Sequence, residues 1–245
     1  MVLTSVVVLA ALAVCTVAVH GPVSRIARHY VGELLTEAVT GSGQPVDPIV
    51  PGAVRRHHLL LSAPQTVLFL VVGGLACTVA LVAGQWYEAA LALPVVAALT
   101  VAGSTDAVCH RLPNVLLGLA AVGAGVGIAA AVGLALAAGG ESARVLAPVV
   151  GSLGAAAALG GVGLLLSLVP SGLGMGDVKL LALVGLWLGR FGWAVPVVGA
   201  VLGLFLAGTV AIVLMAVRRA RRDTMIAMGP YLIVGALTVW ALAVV

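Results

Sequence analysis

Charge is scarce in this sequence. Only 8% of its 245 residues are Asp, Glu, Lys or Arg, against about 25% in a typical soluble domain. Cysteine is scarce too: Cys15, Cys77 and Cys109 stand far apart in apolar runs, with no CxxC pair. That excludes a disulfide framework or a zinc knuckle and leaves three small core residues. What fills the chain is apolar: 62% of it before its 32 glycines are counted, with a mean hydropathy of +1.26. So little polar surface cannot coat a water-soluble globule, and disordered, coiled-coil and collagen-like classes are excluded at the same step. The expected fold class is all-α, a polytopic integral membrane helical bundle. The net charge of +4 then bears on topology, and no nucleic-acid partner is expected.

A bilayer core of about 30 Å takes roughly 20 apolar residues per helix. The sequence divides into such spans at about 2–19, 64–84, 88–105, 114–138, 145–169, 178–189, 192–217 and 229–245. No basic residue precedes the first run, and Arg25 and Arg28 follow it, so it reads as a retained span rather than a cleavable signal peptide. With the N-terminus outside, the inner loops hold Arg25, Arg28, Arg55, Arg56, Arg111, Lys179, Arg218, Arg219, Arg221 and Arg222, and the outer loops only Arg144 and Arg190. That split obeys the positive-inside rule and sets the expectation at about eight spans with both termini outside.

Residues 1–19 form the first span and 64–245 the membrane domain; between them, 20–63 is the one long polar stretch. Val23, Ile26, Ala27, Tyr30, Val31, Leu34 and Leu35 recur at helical spacing, opposite Arg25, Arg28, His29, Glu33 and Glu37. This predicts an amphipathic helix, either lying on the cytoplasmic membrane face or packed on the ends of neighbouring spans. Residues 41–52, GSGQPVDPIVPG, read as a linker.

Ionisable residues at span ends are the informative ones in such a chain. Glu33, Glu37, Asp47, Glu88, Glu141 and Asp223 read as solvated loop or interface charges. Asp106 and Asp177 remain, both at cytoplasmic span ends, after the third span and before the sixth. Two close carboxyl groups cannot both ionise, so a pair shares a proton. The ionised member takes a proton from an attacking water while the protonated one donates to a peptide carbonyl oxygen. This chemistry calls for no metal or cofactor. The plainer alternative pairs Asp106 with Arg111 and Asp177 with Lys179.

Asp177 sits in LGMGDVKLLA (173–182), where Gly174 and Gly176 flank Met175. Glycines there remove side-chain bulk and allow non-helical backbone, so an extended substrate has room to pair with an irregular strand. STDAVCHRLPN (104–114) has an aspartate, five residues, an apolar residue and then Pro-Asn; MIAMGPYLIVGA (225–236) has apolar residues, Gly-Pro-Tyr-Leu and a small-residue run.

These three ordered blocks resemble those of the type IV prepilin peptidases, bacterial GxGD-type aspartic proteases of the inner membrane. The resemblance covers roughly residues 64–245. It implies that Asp106 and Asp177 are the catalytic pair. It further implies cleavage of a short basic leader from type IV prepilin or pseudopilin precursors, after a glycine and before the hydrophobic helix. Full-length members of that family carry paired CxxC motifs in a cytoplasmic domain and methylate the new N-terminus. Residues 20–63 hold no cysteine, so peptidase activity alone is expected.

Around the pair, Arg111 biases Asp106 towards ionisation, holds a loop carbonyl or anchors topology. Pro113 and Asn114 are expected to end the loop, with Asn114 capping the fourth span. Lys179 is expected to meet substrate or a lipid phosphate, and His110 to be interfacial. Gly229 and Pro230 shape the start of the last span beside the site. His57 and His58 read as headgroup contacts, and Arg218–Arg222 as an anchor on anionic lipid. Two other functions fit the same composition. One is a protease of other membrane helices, although relatives of that kind use a YD context that STDAVCHRLPN lacks. The other is a transporter or assembly scaffold whose aspartates relay protons or pair with arginines.

Overall fold

The computed structural model describes residues 2–40, 58–169, 173–217 and 227–245. Among them the long elements are nine α-helices: α1 (Val2–Ala18), α2 (Ser24–Thr40), α3 (Ser62–Val82), α4 (Trp86–Cys109), α5 (Asn114–Ala137), α6 (Ser142–Leu168), α7 (Met175–Leu188), α8 (Ala194–Ala216) and α9 (Gly229–Val244). Six stretches, one of them Thr4–Leu34, are long and apolar enough to cross a membrane. The helix α7 has 14 residues and α9 has 16, short of a full crossing on their own. Large apolar side chains face outward in number. Val67 and Leu75 on α3, Val122 and Leu134 on α5, Leu165 on α6 and Ile212 on α8 are all more than half exposed. Such a surface is stable in contact with lipid and costly in water.

The centre of the bundle is α4, whose most apolar stretch is 83% buried against 22–33% for the other candidate spans. It packs on α1, α3, α5 and α9, and the α6–α7 and α8–α9 pairs close the rest. Small residues let these helices approach closely. A methyl built on Gly185 would lie 2.5 Å from the Ala155 backbone, and one on Gly235 2.4 Å from the Gly199 carbonyl oxygen. Cys15 and Cys77 are buried and free, and Cys109 is partly buried, as expected of core residues.

Two expectations are corrected here. Residue 19 is not a helix end: α1 runs into α2 through a π-turn, Val19–Val23, that holds Pro22. A proline has no N–H for the ladder and crowds the preceding turn, and the wider turn takes it in. The buried Ser24 hydroxyl donates to the Val19 carbonyl. From there α2 runs over the end of α4. Val31, Leu60 and Val108 form a small cluster with Tyr30, Leu59 and Cys109, and Arg28 Nη1 donates to the Leu60 carbonyl at 3.3 Å. Packing on neighbouring helix ends is therefore the reading that fits α2. The linker 41–52 lies outside the described residues, as do Asp47, Arg55, Arg56, His57, Asp223 and Arg218–Arg222.

Glu88 is the second correction, because it is no solvated loop charge. It is buried in the first turn of α4 and forms a two-pronged ion pair with Arg190, itself buried, just past the end of α7. Arg190 Nη1 donates to Glu88 Oε1 at 2.9 Å and Nη2 to Oε2. A charge at this depth needs a partner, and the partner is 102 residues away in sequence. By contrast Glu33 is exposed and pairs with His29 at 3.3 Å, and Glu141 is exposed.

Candidate active site

Asp106 lies in the last turn of α4 and is buried. Its helix ends at His110, which adopts a left-handed conformation (φ 52°, ψ 32°) and donates its N–H to the Asp106 carbonyl at 2.8 Å. Few residues other than glycine take that conformation, and histidine is among those that tolerate it. The reversal turns the chain into Arg111, Leu112 and Pro113. Nearby, Gln65 Nε2 on α3 donates to Ser104 Oγ at 2.8 Å, which donates in turn to the Val101 carbonyl. This ties α3 to the turn that carries the aspartate.

Asp177 comes from the first turn of α7. Its Oδ2 accepts the backbone N–H of Gly174 at 3.2 Å, and Gly174 in turn accepts the Asp177 N–H at 3.0 Å. An acid at the third helical position suits the positive end of a helix. Gly176 corrects the expectation of an irregular strand. It is helical, and a Cβ there would stand 3.3 Å from Leu112 Cβ. Its lack of a side chain lets the Asp106 loop rest on the Asp177 helix. Of these two glycines, Gly174 alone has extended backbone (φ −78°, ψ 157°).

The two carboxyl groups, 71 residues apart in sequence, line one cavity of about 330 Å³. Arg111, Asn114, Gly174, Gly176 and Lys179 line it as well, and so do Tyr30, His110, Leu112 and Met175. Among the described residues neither aspartate is in ion-pair contact with Arg111 or Lys179. Lys179, the only lysine in the chain, donates instead to Asn114 Oδ1 at 2.8 Å. That bond joins α5 to α7 and corrects the capping role expected of Asn114: Pro113 occupies the cap position, with no side-chain cap bond.

Gly229 and Pro230 are part of the same arrangement. The Gly229 N–H donates to Asp106 Oδ2 at 3.0 Å, so the start of α9 holds the carboxyl directly. A Cβ on Gly229 would lie 2.7 Å from that oxygen. Pro230 sits in the first turn of α9 and backs onto α4 beside Gly103, where its missing N–H costs nothing. Each aspartate thus keeps one oxygen on a backbone N–H. Two acids and two cations lining one cavity can polarise a carbonyl and activate water.

Tyr30 is one of the lining residues that sequence reasoning missed, with Leu112 and Met175. It lay on the apolar stripe of α2, and the stripe alone does not say what it packs on. Among the described residues no group of three His, Cys, Asp or Glu side chains comes together, so no residues here are assigned to hold a metal. No protein-family model, curated protein or solved structure matches the chain.

Proposed function

We propose that this chain is a membrane-embedded aspartic endopeptidase that removes a short basic leader from type IV prepilin or pseudopilin precursors. The observation that carries the proposal is the meeting of Asp106 and Asp177, from opposite ends of a 71-residue stretch, on one cavity. The chemistry follows from a carboxyl pair holding one proton. The ionised member takes a proton from water, whose oxygen bonds to the carbonyl carbon of the scissile peptide. The protonated member gives its proton to the carbonyl oxygen, and a tetrahedral diol forms. The proton just taken from water then passes to the leaving nitrogen as the C–N bond breaks, and one diol hydroxyl returns its proton to the other carboxylate, so that an acid and an amine leave and the pair again holds one proton. The N–H groups of Gly229 and Gly174 hold one oxygen of each carboxyl, leaving the others for water and peptide.

The topology proposed with this function has eight crossings, α1 and α3 to α9, with the N-terminus outside. It puts both aspartates at the inner face of a bacterial cytoplasmic membrane, where leader and signal of an unprocessed precursor lie. Basic loop residues favour that side by ten to two. The 14 residues of α7 span only about 21 Å, so flanking turns or local thinning complete its crossing. Arg111 and Lys179 share the cavity with an acid pair that holds one proton, so attraction for a basic leader comes from anionic lipid nearby.

The test is cleavage of a prepilin by membranes holding wild type, Asp106→Asn or Asp177→Asn, with products read by mass at the glycine–hydrophobic junction. Cutting by wild type and loss in both variants is the expected result. Cleavage by either variant would refute the pair, and a folded wild type that cuts no precursor would refute the activity.

A further inference from the structure

The helices that carry the two aspartates, α4 and α7, both pack on α5 and α9 but share little direct packing with each other. Their spacing is therefore set through neighbours and through contacts at their ends. At one end stand Asp106 and Asp177. At the other end of the same two helices stands the buried Glu88–Arg190 pair. From Glu88 to Asp106 is 18 residues of helix, about 27 Å, and from Asp177 to Arg190 is 13 residues, about 20 Å. The pair and the carboxyls thus sit close to opposite faces of the bundle.

Arg190 is held on several sides. Its guanidinium lies 4.3 Å from the centre of the Phe191 ring. On another side it passes α5 where Gly127 leaves space, a Cβ there being 3.7 Å from Cζ. Both side chains are at most 8% exposed. A buried ion pair is seldom a net gain over apolar residues of the same size, and its best-attested use is to fix register. We infer that Glu88 and Arg190 are positioning residues: a clamp between α4 and α7 that sets how Asp106 and Asp177 face each other. This rests on the reading of those aspartates as the reacting pair.

A test independent of activity comes from Leu112 and Gly176, whose Cβ positions lie 3.3 Å apart, close to the spacing of a disulfide. Leu112→Cys and Gly176→Cys are introduced into a full chain with Cys15, Cys77 and Cys109 replaced by alanine, and cross-linking is timed under mild oxidation. Two clamp variants are compared. Glu88→Met with Arg190→Met removes the tie and leaves no unpaired charge. Glu88→Asp keeps the charge and shortens its reach by one methylene. Cross-linking should slow about fivefold or more in the first and about twofold in the second, as the facing Cβ atoms drift from bonding geometry. In a chain with native Leu112 and Gly176, kcat for cleavage should fall about tenfold in the double variant with KM within about twofold, as misplaced reacting groups predict. Cross-linking at the parent rate in both variants, or slower cross-linking with unchanged kcat, would overturn the clamp. Cross-linking needs no substrate, so a chain that cuts no precursor fails the proposed function and still reports on the clamp.

Discussion

Replacing Gly229 by alanine adds one methyl group at the most sensitive point of the site. The new Cβ would stand 2.7 Å from Asp106 Oδ2 and 3.1 Å from its Cγ. A close carbon–oxygen contact is about 3.3 Å, so the carboxyl or the first turn of α9 must retreat by roughly half an ångström. Gly229 is not among the glycines with left-handed backbone, so alanine brings no backbone strain and the effect isolates the contact. The bond at risk is the 3.0 Å hydrogen bond from the Gly229 N–H. A hydrogen bond to a charged group contributes about 1.5–3 kcal/mol. If it is lost only where the carboxyl must be held for reaction, kcat/KM falls about 10- to 150-fold. The assay is the initial rate of precursor cleavage by purified protein, with melting temperature followed in parallel. Gly208→Ala, where an added Cβ meets nothing within 4 Å, is the control. A folded Gly229→Ala protein that cuts within about twofold of wild type would refute the idea that this backbone contact positions Asp106.

Cleavage should follow a bell-shaped pH profile, since below the lower apparent pKa of the pair no base remains and above the higher no acid remains; a rate that only rises or only falls across the range would contradict a shared proton. Gly185→Ala sets a methyl 2.5 Å from the Ala155 backbone and should destabilise the α6–α7 seam by about 1–3 kcal/mol, read as a lower melting temperature in detergent. Asn114→Ala removes the acceptor of Lys179 on an exposed edge. Its cost in stability should stay under about 1 kcal/mol, so any larger loss in cleavage rate would report on placement of the Lys179 charge in the cavity.

Much of this fold was legible because lipid-facing helices must be apolar along their whole length. The run expected at 114–138 is the helix Asn114–Ala137, and that at 229–245 is Gly229–Val244. The candidate aspartates were legible for the converse reason, since charges at the ends of such runs are rare. What escaped was contact between distant segments. Glu88 looked like an end-of-span charge because its partner lies on another helix. Tyr30 looked like one more apolar position on α2, and nothing local says that α2 crosses the end of α4. Asn114 has the chemistry of a cap, and the competing offer from Lys179 is visible only in three dimensions. The first span was expected to end at residue 19, yet a π-turn carries the helix on through Pro22. Gly176 was recognised as necessary for the wrong cause: it makes room for Leu112 rather than for a strand.

The central claim is that Asp106 and Asp177 act as one reacting unit, and the most direct measurement compares Asp106→Asn, Asp177→Asn and the double variant in a single cleavage assay. Groups that work as a unit are non-additive. Each single variant should lose activity by about a thousandfold or more, and the double variant should be no slower than either. Losses that multiply in the double variant, or cleavage that survives in one single variant, would contradict the account.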